Sequence, residues 1–146
     1  MRWTFCLMVG VLLSAVALGS DSPKEYNDKT EAVGIEGMWR LHEVEWKGKK
    51  TKLAFEVAIT VRGGNLAYDY THAIVRGSYR IDPACKPLHL DWTPLSGGLK
   101  GETLKVIYQI DGDELRIAFL WNGTEMQRPR GFNDDGVYTA IFKRVK

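Results

Sequence analysis

The chain has 146 residues, with 20 Lys and Arg against 18 Asp and Glu, for a formal net charge of +2. That balance excludes a surface recruiting polyanions by bulk charge, so neither nucleic acid nor an anionic membrane face is an expected partner. Two cysteines exclude a disulfide-dense scaffold, and the length sets an expectation of one domain.

Met1 to Gly19 is expected to be a signal peptide. Arg2 supplies the positive start, Phe5 to Val16 the apolar stretch, and Ala17-Leu18-Gly19 a small-residue cleavage site. A retained anchor is the competing reading. Gly10, Ser14 and Gly19 dilute the run, which stops near Leu18, short of the roughly 20 apolar residues that span a bilayer. The expected destination is therefore the periplasm, the cell surface or the medium, with no stable membrane anchor after cleavage. Processing leaves Cys85 as the one thiol, to pair between chains, to react, or to serve as a small loop residue between Pro83 and Pro87. Stability must then come from packing, to which four tryptophans downstream of residue 19 contribute.

Residues 20–33 are polar, include Pro23 and lack an apolar period, which predicts a flexible leader before a domain over 34–146. Trp39 to Trp46 is predicted to be the first strand, its apolar phase slipping between Leu41 and Val44 as a bulge or bend would make it. Lys47-Gly48-Lys49 turns the chain. Phe55, Val57, Ile59 and Val61 alternate cleanly as the second strand. Gly63-Gly64-Asn65 reverses it into a third, with Leu66, Tyr68 and Tyr70.

Val75, Gly77, Tyr79 and Ile81 mark a fourth strand, where Gly77 signals a bend or a close backbone approach. Leu88, Leu90 and Trp92 mark a fifth, opposed by His89 and Asp91, and a glycine-rich loop follows from Pro94 to Gly101. Leu104, Val106, Tyr108 and Ile110, then Leu115, Ile117 and Phe119, form a hairpin about Asp111-Gly112-Asp113. After an irregular stretch from Gly123 to Gly136, Val137 to Arg144 is the eighth strand. No segment after the signal peptide has a helical period. Eight short strands with one apolar face each fit a two-sheet sandwich or a closed barrel, and neighbour-to-neighbour reversals favour an antiparallel up-and-down barrel.

Gly37-Met38-Trp39, Gly77-Ser78-Tyr79-Arg80-Ile81-Asp82-Pro83 with Lys86-Pro87, Gly101, Ile107-Tyr108, Asp111 to Leu115, and Arg128-Pro129 with Phe132 occur in an order that resembles an uncharacterised family of exported, planctomycete-type bacterial proteins. The resemblance spans about Ile35 to Lys146. It implies a lipocalin-like, calycin-type β-barrel and brings no catalytic residues. A fainter similarity to true lipocalins implies that Trp39 closes the barrel under an arginine, Arg128 or Arg144, with Trp39 and Arg128 the expected closure pair.

Chemistry is sparse. His42, His72 and His89 have no zinc-motif spacing, so no metal site and no cofactor are expected. His89 and Asp91 share a strand face and allow a hydrolase or isomerase reading, against which stands a solvated outer face. Asp111, Asp113 and Glu114, like Asp134-Asp135, are explained by turns better than by calcium. No serine elbow, phosphate loop or dinucleotide fingerprint is present. Asn122-Gly123-Thr124 would accept a glycan only in a eukaryotic host.

The expected function is therefore an exported binding module and not an enzyme, with no catalytic residue expected. It would take a small apolar or aromatic molecule in the barrel mouth, with Tyr79, Trp92 and Tyr108 touching it, or a protein partner on the loops. It is expected to act as a monomer. The alternative is a structural or interaction domain whose bulky side chains fill the interior.

Overall fold

A computed structural model describes residues 34–121 and 126–146. The signal peptide, the leader and the Asn122-Gly123-Thr124 acceptor lie outside these residues. Ten strands follow in chain order: β1 Gly37–Trp46, β2 Lys49–Thr51, β3 Val57–Arg62, β4 Asn65–Tyr70, β5 Ala73–Asp82, β6 Leu88–Pro94, β7 Leu104–Asp111, β8 Glu114–Trp121, β9 Met126–Gln127 and β10 Val137–Arg144. Each of the eight longer strands pairs antiparallel with the next, and β10 lies between β8 and β1, which closes the ring. The two short strands hang on single neighbours, β2 on β1 and β9 on β8. The fold is an all-β, closed, eight-stranded up-and-down barrel.

Period-two patterning sets which face turns inward. In β3, Val57, Ile59 and Val61 are buried between half-exposed Ala58 and Thr60. The alternation that sequence analysis extends back to Phe55 stops at Val57. There β4 ends its pairing at Tyr70, and Phe55, without a ladder partner, is exposed. Between β3 and β4 the chain reverses through Gly63 and Gly64, at φ of 55° and 81°. This is the left-handed pair that a two-residue turn needs to match strand twist.

In β1 the register shifts between Leu41 and Glu43, so one extra residue sits opposite β10. The shift restores phase. Trp39 and Leu41 before it, and Val44 and Trp46 after it, all present the same face.

The main core gathers Ile35, Trp39, Ile59, Leu66, Leu90, Tyr108, Leu115 and Phe142, among others. A smaller cluster of Ile107, Ala118 and Val137 lies on the opposite side of the β7–β8–β10 wall, with Leu120 and Phe132 packed on it. Val106, Ile107 and Tyr108 are thus buried in succession, because this wall is covered on both faces. The stretch leading into β10 supplies that cover through Phe132.

Candidate functional site

The two ends of the barrel are built differently. At one, residues 34–36 cross beneath β1, and the Trp39 indole N–H donates to the Ile35 carbonyl at 2.8 Å. The Arg144 guanidinium lies 4.0 Å from the centre of the Trp39 ring. It also donates to the carbonyls of Glu36 at 2.8 Å and Gly34 at 2.7 Å. Gly37 is required here, since its φ is +129° and a β-carbon would sit 2.8 Å from an Arg144 nitrogen. Ile35 and Trp39 are fully buried. This end is closed.

Sequence analysis leaves Arg128 or Arg144 over Trp39 and favours Arg128; the structure places Arg144 there. Arg128 instead lies outside the barrel, donating to the Val106 carbonyl at 2.7 Å and forming an ion pair with Asp91. The reason is register. Arg144 ends β10 directly opposite Trp39, whereas Arg128 follows β9 on the far side of β8.

At the other end the interior is hollow. A cavity of about 500 Å³ opens there, with Leu66, Leu90, Val106 and Phe142 in its wall and Leu53, Tyr70 and the Ser96–Leu99 loop at its rim. Its size falls in the roughly 300–1,000 Å³ range of small-molecule pockets, and its lining is nearly all apolar. Bulky side chains thus fill the interior at the base and leave it open at the mouth.

Two aromatic ladders face each other across this mouth. On β4 and β6, Tyr70 meets Tyr68 at 5.4 Å between ring centres, and Tyr68 meets Trp92 at 6.2 Å. On β1, β10 and β8, Trp46 stacks on Tyr138 at 5.5 Å and Tyr138 on Phe119 at 5.7 Å. These follow directly from pairing, since Trp46 is opposite Tyr138 and Tyr138 opposite Phe119. Burial, and then the neighbouring Tyr70, push the Tyr68 hydroxyl above its ordinary pKa, so it is a neutral phenol at neutral pH. Gly77 explains the placement of Trp92. A β-carbon at residue 77 would overlap the Thr93 carbonyl and the Trp92 indole nitrogen, so the glycine leaves the indole its seat. The Trp92 N–H is buried without a hydrogen-bond partner among the described residues.

Of the three residues expected to touch a ligand, Trp92 lines the cavity. Tyr79 and Tyr108 do not. Tyr79 packs against the core near Gly64 and Glu36, and burial followed by the Glu36 charge raises its pKa. Tyr108 is fully buried in the core, opposite Leu88 and Ile117. Sequence analysis does not single out Tyr68 and Tyr70 as the ligand wall. The signal available was their closeness to the Thr71-His72 turn, at the same end as the Pro94–Gly101 loop.

His89 and Asp91 face outward, into a groove they share with Arg80, Asp82 and Arg128. Burial and Arg128 lower the His89 pKa, and Asp82 and Asp91 partly offset this. Asp91 is held by Arg128, which orients its carboxylate toward the guanidinium. The acidic turns serve structure. Glu114 accepts from Lys143 at 2.6 Å, Asp113 lies 3.2 Å from the Lys146 ammonium, and Asp134 accepts from the backbone N–H of Arg130 and Gly131.

Compared with family models, with curated proteins and with solved structures, the chain matches none, so its own geometry carries the functional argument.

Proposed function

We propose that this chain is an exported binding module that holds a small apolar or aromatic molecule in the open mouth of its barrel. The observation that carries this reading is the cavity of about 500 Å³ between two aromatic ladders. A void of that size lined by hydrocarbon forgoes packing contacts that a filled core would make, and a ligand of matching shape restores them. Tyr68, Tyr70, Trp92 and Ser96 are the few lining residues with polar side-chain atoms, so the favoured occupant is apolar with at most one or two polar atoms. Exposed Trp46, Leu53, Phe55 and Tyr70 lie on segments at the same end, giving such a molecule an apolar approach. The resemblance to lipocalin-like proteins supports the same reading, and so does the signal-like start of the sequence.

The test is direct. Native mass spectrometry of protein from its own host should show a co-purifying small mass. The purified protein should also enhance the fluorescence of anilinonaphthalene sulfonate, with transfer from Trp92. Ala140 lines the cavity, and Ala140→Phe should fill part of it and abolish probe binding while the barrel stays folded. A folded wild-type protein that binds neither a native ligand nor any apolar probe would defeat the proposal.

A further inference from the structure

A second cluster of chemically capable side chains lies at the closed end, away from the cavity. Asp82 ends β5 and His89 lies near the start of β6, and the two are directly opposed in the ladder. The five-to-six connection doubles back between them and buries Cys85, which is 4% exposed. The Cys85 thiol donates to Asp82 Oδ2 at 3.6 Å, and Asp82 Oδ1 accepts the Ala84 N–H at 3.0 Å, which fixes the carboxylate. One ligating atom from each of Asp82, Cys85 and His89 lies within 4.8 Å of the other two.

We propose that Asp82, Cys85 and His89 form a binding site for one zinc-class divalent cation. Zinc bonds of about 2.0–2.3 Å in tetrahedral geometry place neighbouring ligand atoms about 3.3–3.6 Å apart. The sulfur-to-oxygen separation already has that length. The imidazole reaches it by side-chain rotation, because its backbone is fixed in the ladder beside Asp82.

The ligand set selects the ion. Sulfur and imidazole disfavour calcium and magnesium, which take oxygen, and favour zinc and its cobalt analogue. Thiolate and carboxylate together neutralise the two positive charges, and a neutral imidazole completes the third corner. Arg80 and Arg128 both line the adjoining groove, and the charge of Arg128 is offset by its ion pair with Asp91. Water from the groove bounded by Arg80, His89 and Asp91 takes the fourth corner. The site does not depend on the cavity at the opposite end.

The full chain, stripped with a chelator, is titrated with zinc against a chromophoric competitor and separately with cobalt. One equivalent should bind. Cobalt should give a thiolate-to-metal charge-transfer band in the near ultraviolet and tetrahedral bands in the visible. Cys85→Ser should remove the charge-transfer band even though Cys6 remains. His89→Ala and Asp82→Asn should each weaken zinc binding by more than the roughly 10–100-fold that loss of an outer-shell partner costs, with the far-ultraviolet β signature unchanged. Should a variant fail to fold, the unsubstituted chain still decides, because zinc should slow iodoacetamide labelling of Cys85 as read on its tryptic peptide. Equal labelling with and without zinc, a cobalt spectrum without the thiolate band, or zinc affinity unchanged across the three variants overturns the proposal.

Discussion

The closed base and the open mouth use the same aromatic and aliphatic residue types for opposite ends. At the base, Trp39 is fully buried, its N–H is bonded to Ile35, and Arg144 covers its face. At the mouth, Trp92 borders a void and its N–H has no partner among the described residues, while the exposed Trp46 stacks on Tyr138. A side chain packed on every side contributes to stability; one that faces a void leaves contacts for something else to make. The difference teaches where substitutions should be felt as loss of fold and where as loss of binding.

The largest expected effect is at the base. Trp39→Ala should cost about 3–5 kcal/mol, the range for emptying a large buried aromatic site. A urea midpoint equal to wild type would end the view of this end as the seat of stability. Arg144→Ala removes a cation–π contact of about 0.5–2 kcal/mol and two hydrogen bonds of about 1 kcal/mol each. It should therefore destabilise by about 2.5–4 kcal/mol in the same assay without changing probe binding at the mouth.

Gly77→Ala forces a methyl against the Thr93 carbonyl and the Trp92 indole. An overpacking cost of about 1–3 kcal/mol is expected, together with altered probe affinity as the indole moves. Tyr68→Ala tests the mouth itself: stability should fall less than for Trp39→Ala, while affinity for the apolar probe falls at least as steeply as in any base variant. The reverse ranking would break the contrast between the ends.

The smallest effect concerns pH. The hydrogen bond from Lys143 holds the Glu114 carboxyl below its ordinary pKa of 4.5, with further lowering by surrounding cations. A carboxylate with a depressed folded-state pKa stabilises the fold above its unfolded pKa and loses that contribution as pH falls through the folded value. Lys143→Ala should therefore flatten the acid-side decline of stability below about pH 4.5 by at most about 1 kcal/mol, as for exposed ion pairs. Denaturant midpoints measured through that range decide it.

Much of this architecture was legible in the residues. The period-two runs of β3 to β8, the glycine reversals and the phase slip in β1 each map onto a local rule, and neighbour pairing supplies the barrel from them. What alternation cannot specify is height along the barrel. Tyr79, Trp92 and Tyr108 share an inward face, yet Trp92 lines the cavity, Tyr108 is fully buried in the core, and Tyr79, though directly opposite Trp92 in the ladder, packs against the core outside the cavity. The arginine over Trp39 was undetermined for a related reason, since its identity depends on the register of β10 against β1. The proximity of Asp82, Cys85 and His89 was equally hidden, because Cys85 reaches the other two through a loop whose path follows no period.

One consequence follows from the position of β10 between β8 and β1. Until Val137–Arg144 arrives, the growing polypeptide has two unsatisfied margins, one on each flanking ribbon, and neither the tryptophan clamp nor the hollow can exist. A product cut short before Val137 should accordingly be sticky and prone to self-association, while acquisition of shape waits for the final segment to slot home.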